Sequence, residues 1–173
     1  MNLTAQLMKT ALEALDAKLK TSVRLIIGGG GAMILAHHFP LATTDIDGIP
    51  GAGMSAEELD PFVKEVANEL NLPKDWLNPY YVTFTHVLPK DYNIRLKIVF
   101  EFSHLTVEAL SKDDLLIMKC FAGRIKDQPH VKALVRSGAN TKFAENHIES
   151  LKAKGIPGAE KALDFLDEIL DTA

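Results

Sequence analysis

The sequence predicts an α/β fold, a mixed β-sheet flanked by helices and followed by a helical C-terminal part. Three observations predict it. A β-branched apolar run at Val23–Ile27 ends in four glycines and gives way to helical spacing. A second short strand-like segment carries two aspartates two residues apart, and from Ser111 onward the chain shows almost only helical periodicity. The length of 173 residues, with 47% hydrophobic and 24% charged residues, suits one domain with a real core, which we divide at residue 112 into an α/β core (1–112) and a C-terminal helical part (113–173).

The elements follow in order. Leu7, Leu12, Leu15 and Leu19 fall on roughly one face of an opening amphipathic helix. After the strand at Val23–Ile27, the turn Gly28-Gly29-Gly30-Gly31 opens a helix running through Ala32 to His38. Residues Ala42 to Asp47 read as a short strand closed by turn material at Gly48 to Gly53. Ser55, with Glu58 three residues later, forms a capping box for a helix to about Leu70, which Asn71-Leu72-Pro73 ends. Tyr81–Val87 and Ile94–Phe102 read as two strands joined around Pro89-Lys90-Asp91. In the second, Lys97 and Glu101 share the face opposite Ile98 and Phe100. A short strand at Leu105–Leu110 leads to the N-cap Ser111 and a helix from Asp113 to Lys126. Helices broken at Gly138, Gly155 and Pro157 complete the chain, and the last buries Ala162, Leu163, Phe165, Leu166, Ile169 and Leu170.

The bulk properties exclude several function classes. A net charge of −4 provides no global field for nucleic acid, although a local basic cleft remains compatible with it. The single cysteine, Cys120, makes neither an internal disulfide nor a thiolate cluster. The N-terminal segment lacks the apolar core of a signal peptide and no stretch spans a bilayer, so a cytoplasmic location without membrane partners is expected.

The chemistry centres on Asp45-Ile46-Asp47. Residues two apart on a strand project to the same side, so both carboxylates face one cation. Mg²⁺ takes oxygen ligands and is held by a few carboxylates together with substrate phosphates. The glycines let backbone amides approach phosphates at a helix start. Other glycine motifs fail on residues: Gly31 is followed by Ala32-Met33 where a Walker loop needs Lys-Ser/Thr, and Met33 stands where the dinucleotide motif needs its third glycine. The acidic loop lacks the further oxygen ligands of an EF-hand.

Other candidates are weighed against packing. His37 and His38 point about 100° apart on a helix and suit surface or cap roles. Cys120 reads as a small buried packer. Trp76, Tyr80 and Tyr81 read as core ahead of base stacking. Arg124, Lys126 and Lys132 form either a solvated face or, with Lys119, a phosphate-binding rim.

Gly29-Gly30-Gly31-Ala32, the spacing to Thr43-Thr44-Asp45-Ile46-Asp47, the helix Ser111 to Lys119 and Gly123-Arg124-Ile125-Lys126-Asp127 resemble the polymerase-beta-type nucleotidyltransferases. The resemblance covers residues 23 to 135 and extends to small bacterial members, including abortive-infection and toxin–antitoxin nucleotidyltransferases. It implies a nucleotidyltransferase fold, with Asp45 and Asp47 as ligands of Mg²⁺ or Mn²⁺. Gly29, Gly30 and Thr44 would line the nucleotide, and Lys119 and Arg124 would reach its phosphates. The implied partners are a nucleoside triphosphate, an acceptor hydroxyl on RNA, protein or a small molecule, and an antitoxin for a toxin-like member. Two departures stand out. Leu41 replaces a frequent arginine, and Lys97 falls where the superfamily places a third carboxylate, leaving Glu101, or Glu108 on the next strand, as the replacement. Those acids separate two expectations: an enzyme, or a catalytically impaired nucleotide-binding or interaction module.

Overall fold

The structure is a computed structural model describing residues 1–173. It contains two compact units, residues 1–82 with 96–110, and residues 83–95 with 111–173.

The first unit is built on a five-stranded mixed sheet. Its elements are α1 (Ala5–Lys18), β1 (Val23–Ile27), α2 (Gly29–Leu35), β2 (Ile46–Ala52), α3 (Ala56–Leu70), β3 (Leu77–Asn78), β4 (Lys97–Glu101) and β5 (Leu105–Ala109). The strand order is β3-β2-β1-β5-β4. β1 is antiparallel to β2 and parallel to β5, β2 is parallel to β3, and β4 is antiparallel to β5. The expected class, an α/β fold with a mixed sheet and flanking helices, is therefore present.

Local signals explain the helices. Thr4 caps α1 by accepting from Leu7 N. The buried face of α1 is Met8, Ala11, Leu12 and Leu15, and Leu7 is only half-buried. In α3 both hydrogen bonds of the Ser55–Glu58 capping box form, and Asn71 closes the helix in the left-handed conformation. Trp76 is fully buried and donates from Nε1 to Val63 O at 2.9 Å, which satisfies its one polar atom inside the core.

The strands depart further from expectation. β2 begins at Ile46 and continues through residues 48–50, which read as turn material. Gly48 pairs with Ile27, and a Cβ there would lie 2.9 Å from the Leu77 side chain, so the glycine admits close packing within the strand. Residues Tyr81–Val87, expected as a strand, fall in a 3₁₀ helix over Tyr80–Val87. Three residues per turn stacks Tyr81, Phe84 and Val87, of which Tyr81 and Val87 are buried and Phe84 half-buried. β4 is shorter than expected because Tyr92–Arg95 is also 3₁₀.

The parity of β4 is a second correction. Lys97 pairs with Ala109 and Ile98 with Glu108, but Phe100 pairs with Val107 and Glu101 with Thr106. The extra residue at this bulge reverses the alternation, so Lys97 and Glu101 lie on opposite sheet faces.

The second unit is helical apart from 3₁₀ segments. It holds α4 (Lys112–Ala122), α5 (Gln128–Arg136), α6 (Thr141–Ala153) and α7 (Ala159–Thr172), with α4 in contact with the other three. Ser111 caps α4 through Asp114 N. The helix ends at Gly123, short of the expected Lys126, and a 3₁₀ turn at Ile125–Asp127 leads into α5. Asp114, fully buried, receives two hydrogen bonds from Arg95, at 3.1 and 2.9 Å, and one from the Ser111 hydroxyl. α7 buries Ala162, Phe165, Leu166 and Ile169, while Leu163 is half-buried and Leu170 exposed. Cys120 is buried, and burial pushes its thiol up to about 12, which keeps it protonated and inert. No helix is long and apolar enough to cross a membrane.

Candidate functional site

The glycine turn and the aspartate strand meet at the end of β1. Gly28 N donates to Asp47 O at 2.8 Å, which holds Asp47 level with the turn. Gly29 follows with φ of +56°, and a Cβ built there would lie 2.0 Å from Asp47 Oδ2. Only glycine leaves that carboxylate its place. A Cβ on Gly30 would lie 3.0 Å from Thr43 Oγ1, so the second glycine packs against the loop entering β2. Asp45 sits in that loop, one residue before the strand starts, and Thr44 beside it is exposed.

Two side chains secure Asp45. Thr43 donates its hydroxyl to Asp45 O at 3.0 Å, and Asn78 donates from Nδ2 to Asp45 Oδ2 at 3.1 Å. Asn78 also pairs with Asp47 across the β2–β3 ladder. Register partners project to one side, so Asn78 stands beside Asp47 and touches Asp45, which places both carboxylates on the same sheet face. Both aspartates are half-buried.

The candidate third carboxylates do not join them. Asp47 lies level with Gly28, whereas Glu101 lies level with Thr106, on the far edge strand. Three strand spacings and four residues of rise separate them by roughly 20 Å. Glu108 shares the sheet face of Asp47 but stands two strands away, roughly 12 Å off by the same geometry. It is also engaged by Arg24. Lys97 lies on the opposite face and donates to Ala36 O at 2.6 Å, at the C-terminal end of α2, where a cation suits the helix dipole. No three His, Cys, Asp or Glu side chains converge on one point.

Lys119 and Arg124 belong to the second unit, and both turn to one carboxylate there. Lys119 Nζ donates to Asp127 Oδ1 at 2.8 Å, and Arg124 Nε to Asp127 Oδ2. Lys119 and Asp127 are buried, while Arg124 remains 44% exposed. His37 donates from Nε2 to Leu110 O, so its ring closes the end of the sheet, in keeping with a structural role.

Sequence reasoning missed Asn78 and Asp127. Asn78 precedes Pro79 and has the signature of a turn residue; Asp127 lies in a mixed-charge run that resembles a solvated surface.

Gly29→Ala is a sharp probe of this geometry. The positive φ costs about 1–2 kcal/mol for any L side chain, and the added methyl displaces the Asp47 carboxylate. We expect a melting temperature lower by several degrees and, in addition, weakened Mn²⁺ binding in calorimetry; a variant with undiminished ion binding would show that Asp47 does not depend on Gly29.

Comparison with known proteins adds one match. Residues 5–138 match the model of a family described as a nucleotidyltransferase of unknown function (DUF6036). No curated protein and no solved structure matches the chain.

Proposed function

Because the chain belongs to this nucleotidyltransferase family, we propose that it moves a nucleotide from a nucleoside triphosphate to an acceptor hydroxyl, using Mg²⁺ or Mn²⁺ held by Asp45 and Asp47. The observation that carries the proposal is the contact between Asp47 and the Gly29 turn, with Asp45 tethered beside it. Two carboxylates, one of them oriented by the Asn78 amide, supply hard oxygen ligands of the kind that keep Mg²⁺ together with substrate phosphates. Asp45 and Asp47 would hold such an ion, which when bound would supply neutralisation of phosphate charge and stabilisation of the departing pyrophosphate.

The residues of the chain do the positioning. Asp45 and Asp47 set the place of the phosphates; the missing Cβ atoms at Gly29 and Gly30 leave room for the Asp47 carboxylate and the Thr43 hydroxyl, and the backbone of this turn, with Thr44, is proposed to line the phosphates. Transfer forms a bond from the acceptor oxygen to the α-phosphorus, breaks the bond to pyrophosphate and releases the hydroxyl proton. Within the second unit, partly exposed Arg124 and buried Lys119 share Asp127. Glu101 has no part in this scheme, given its distance from the aspartates.

The acceptor is a hydroxyl on RNA, protein or a small molecule. The resemblance to toxin–antitoxin and abortive-infection enzymes supports a cytoplasmic toxin-like role with an antitoxin partner. A second reading is favoured by one observation, that no third carboxylate stands with Asp45 and Asp47. In that reading the fold binds nucleotide and does not turn it over.

Incubation with labelled nucleotides, Mg²⁺ or Mn²⁺, and total cellular RNA and protein separates the two. Label transferred to a macromolecule, and lost on replacing both aspartates, is the expected result and identifies the acceptor class. Tight nucleotide binding without transfer to any acceptor would establish the second reading instead.

A further inference from the structure

Asp45 lies outside the strand ladder, so its carboxylate depends on side-chain tethers. The amide of Asn78 is held on both ends. Oδ1 accepts from Tyr80 N at 3.0 Å, and Nδ2 donates to Asp75 O at 3.3 Å as well as to Asp45 Oδ2. Both hydrogens of Nδ2 are therefore used. Turning the amide over would set Oδ1 against the Asp45 carboxylate and lose the Tyr80 contact, so one orientation is enforced. That orientation presents a donor to Asp45.

Asn78 also sits one strand spacing from Asp47, about 4.8 Å across the ladder. An acidic side chain at this position would put a carboxylate beside both aspartates, whereas Glu101 and Glu108 are too distant to do so. We infer that Asn78 is the positioning residue of Asp45 and stands where a third carboxylate would complete the cation site. The inference rests on the proposed ion-binding role of Asp45 and Asp47.

The consequence is a site with two negative charges and a fixed neutral donor. Replacing that donor by a carboxylate removes the tether but supplies a third oxygen ligand, which favours a hard cation. Without an ion, three close carboxylates repel one another and destabilise the fold. Replacing Asn78 by alanine removes the tether and supplies nothing.

Mn²⁺ binding to the full chain, followed by electron paramagnetic resonance without nucleotide, tests this. Asn78→Asp is expected to bind Mn²⁺ about tenfold more tightly than wild type and to melt at a lower temperature in chelator. Asn78→Ala is expected to bind about tenfold more weakly, the loss typical of an outer-shell partner. A residue with a merely structural role would not move affinity in opposite directions. Asn78→Asp binding no more tightly than wild type overturns the inference. Should that variant fail to fold, Asn78→Ala and Asn78→Ser decide: both must weaken binding, and unchanged affinity in either overturns it. The Asp45→Asn/Asp47→Asn variant separates the two levels. Equal Mn²⁺ binding by it and by wild type removes the proposed function together with this role, whereas loss in that variant with no response at position 78 removes only the role of Asn78.

Discussion

Replacing Asp45 and Asp47 together by asparagine is expected to abolish metal-dependent nucleotide binding while leaving the fold intact. Asparagine keeps the shape of both side chains, and its carbonyl oxygen still accepts from Asn78 Nδ2, so the hydrogen bond that secures position 45 survives. The two negative charges do not. Outer-shell partners alone are worth roughly ten- to a hundredfold in ion affinity, and removing the two carboxylates themselves should exceed about a hundredfold. Relief of the repulsion between them keeps the melting temperature at or above the wild-type value in chelator. Calorimetry with each of the four common ribonucleotides, with and without Mg²⁺, measures the effect. Indistinguishable titrations of the variant and the wild type would end the case for this site.

The second large effect concerns stability. Asp127→Ala is expected to cost about 3–5 kcal/mol, because Lys119, itself buried, is left as an unpaired charge in the interior. For a chain of this size that lowers the melting temperature by about 10 °C. Arg124→Ala should cost under about 1 kcal/mol, since its guanidinium is 44% exposed and screened by water. Adding Lys119→Met to Asp127→Ala removes the stranded ammonium and should recover most of the loss; no recovery would show that the pair is not the cause.

The same cluster fixes a pH dependence. Burial pushes the Asp127 carboxyl up, but contacts from His130, Arg124 and Lys119 outweigh it and hold the group well below the usual carboxylate range. His130 Nδ1 is 3.6 Å away, too long for a hydrogen bond, so the two shorter cation contacts carry most of this. A depressed folded-state value means that the stabilisation is fully present above the unfolded value near 3.9 and declines as pH falls below it. Wild type should therefore lose more stability than Asp127→Ala between about pH 4 and pH 2. Parallel urea titrations whose midpoints fall equally in both proteins over that window would contradict this.

What the sequence determined by itself was local. The Ser55–Glu58 box, the Ser111 cap, the strand–glycine–helix transition at residues 23–35 and the burial of Trp76 and Cys120 were all legible. Each follows from side-chain chemistry within a few residues or from apolar periodicity, which a linear reading captures. Tertiary structure decided the rest. The β4 bulge is imposed by pairing with β5, and no pattern within residues 97–101 announces that Lys97 and Glu101 part to opposite faces. The aromatic and β-branched content of residues 80–87 suits a strand, but the segment adopts 3₁₀ geometry with the Tyr81 hydroxyl on Ile26 O, 55 residues away. Asn78 reaches Asp45 only because a two-residue strand docks on β2. Lys119 finds Asp127 because α4 stops at Gly123 and lets the chain double back. Local propensity acts over one turn or one cap; register, bulges and the partners of buried charges are set by segments far apart in the chain, whose contacts exist only once the fold has formed.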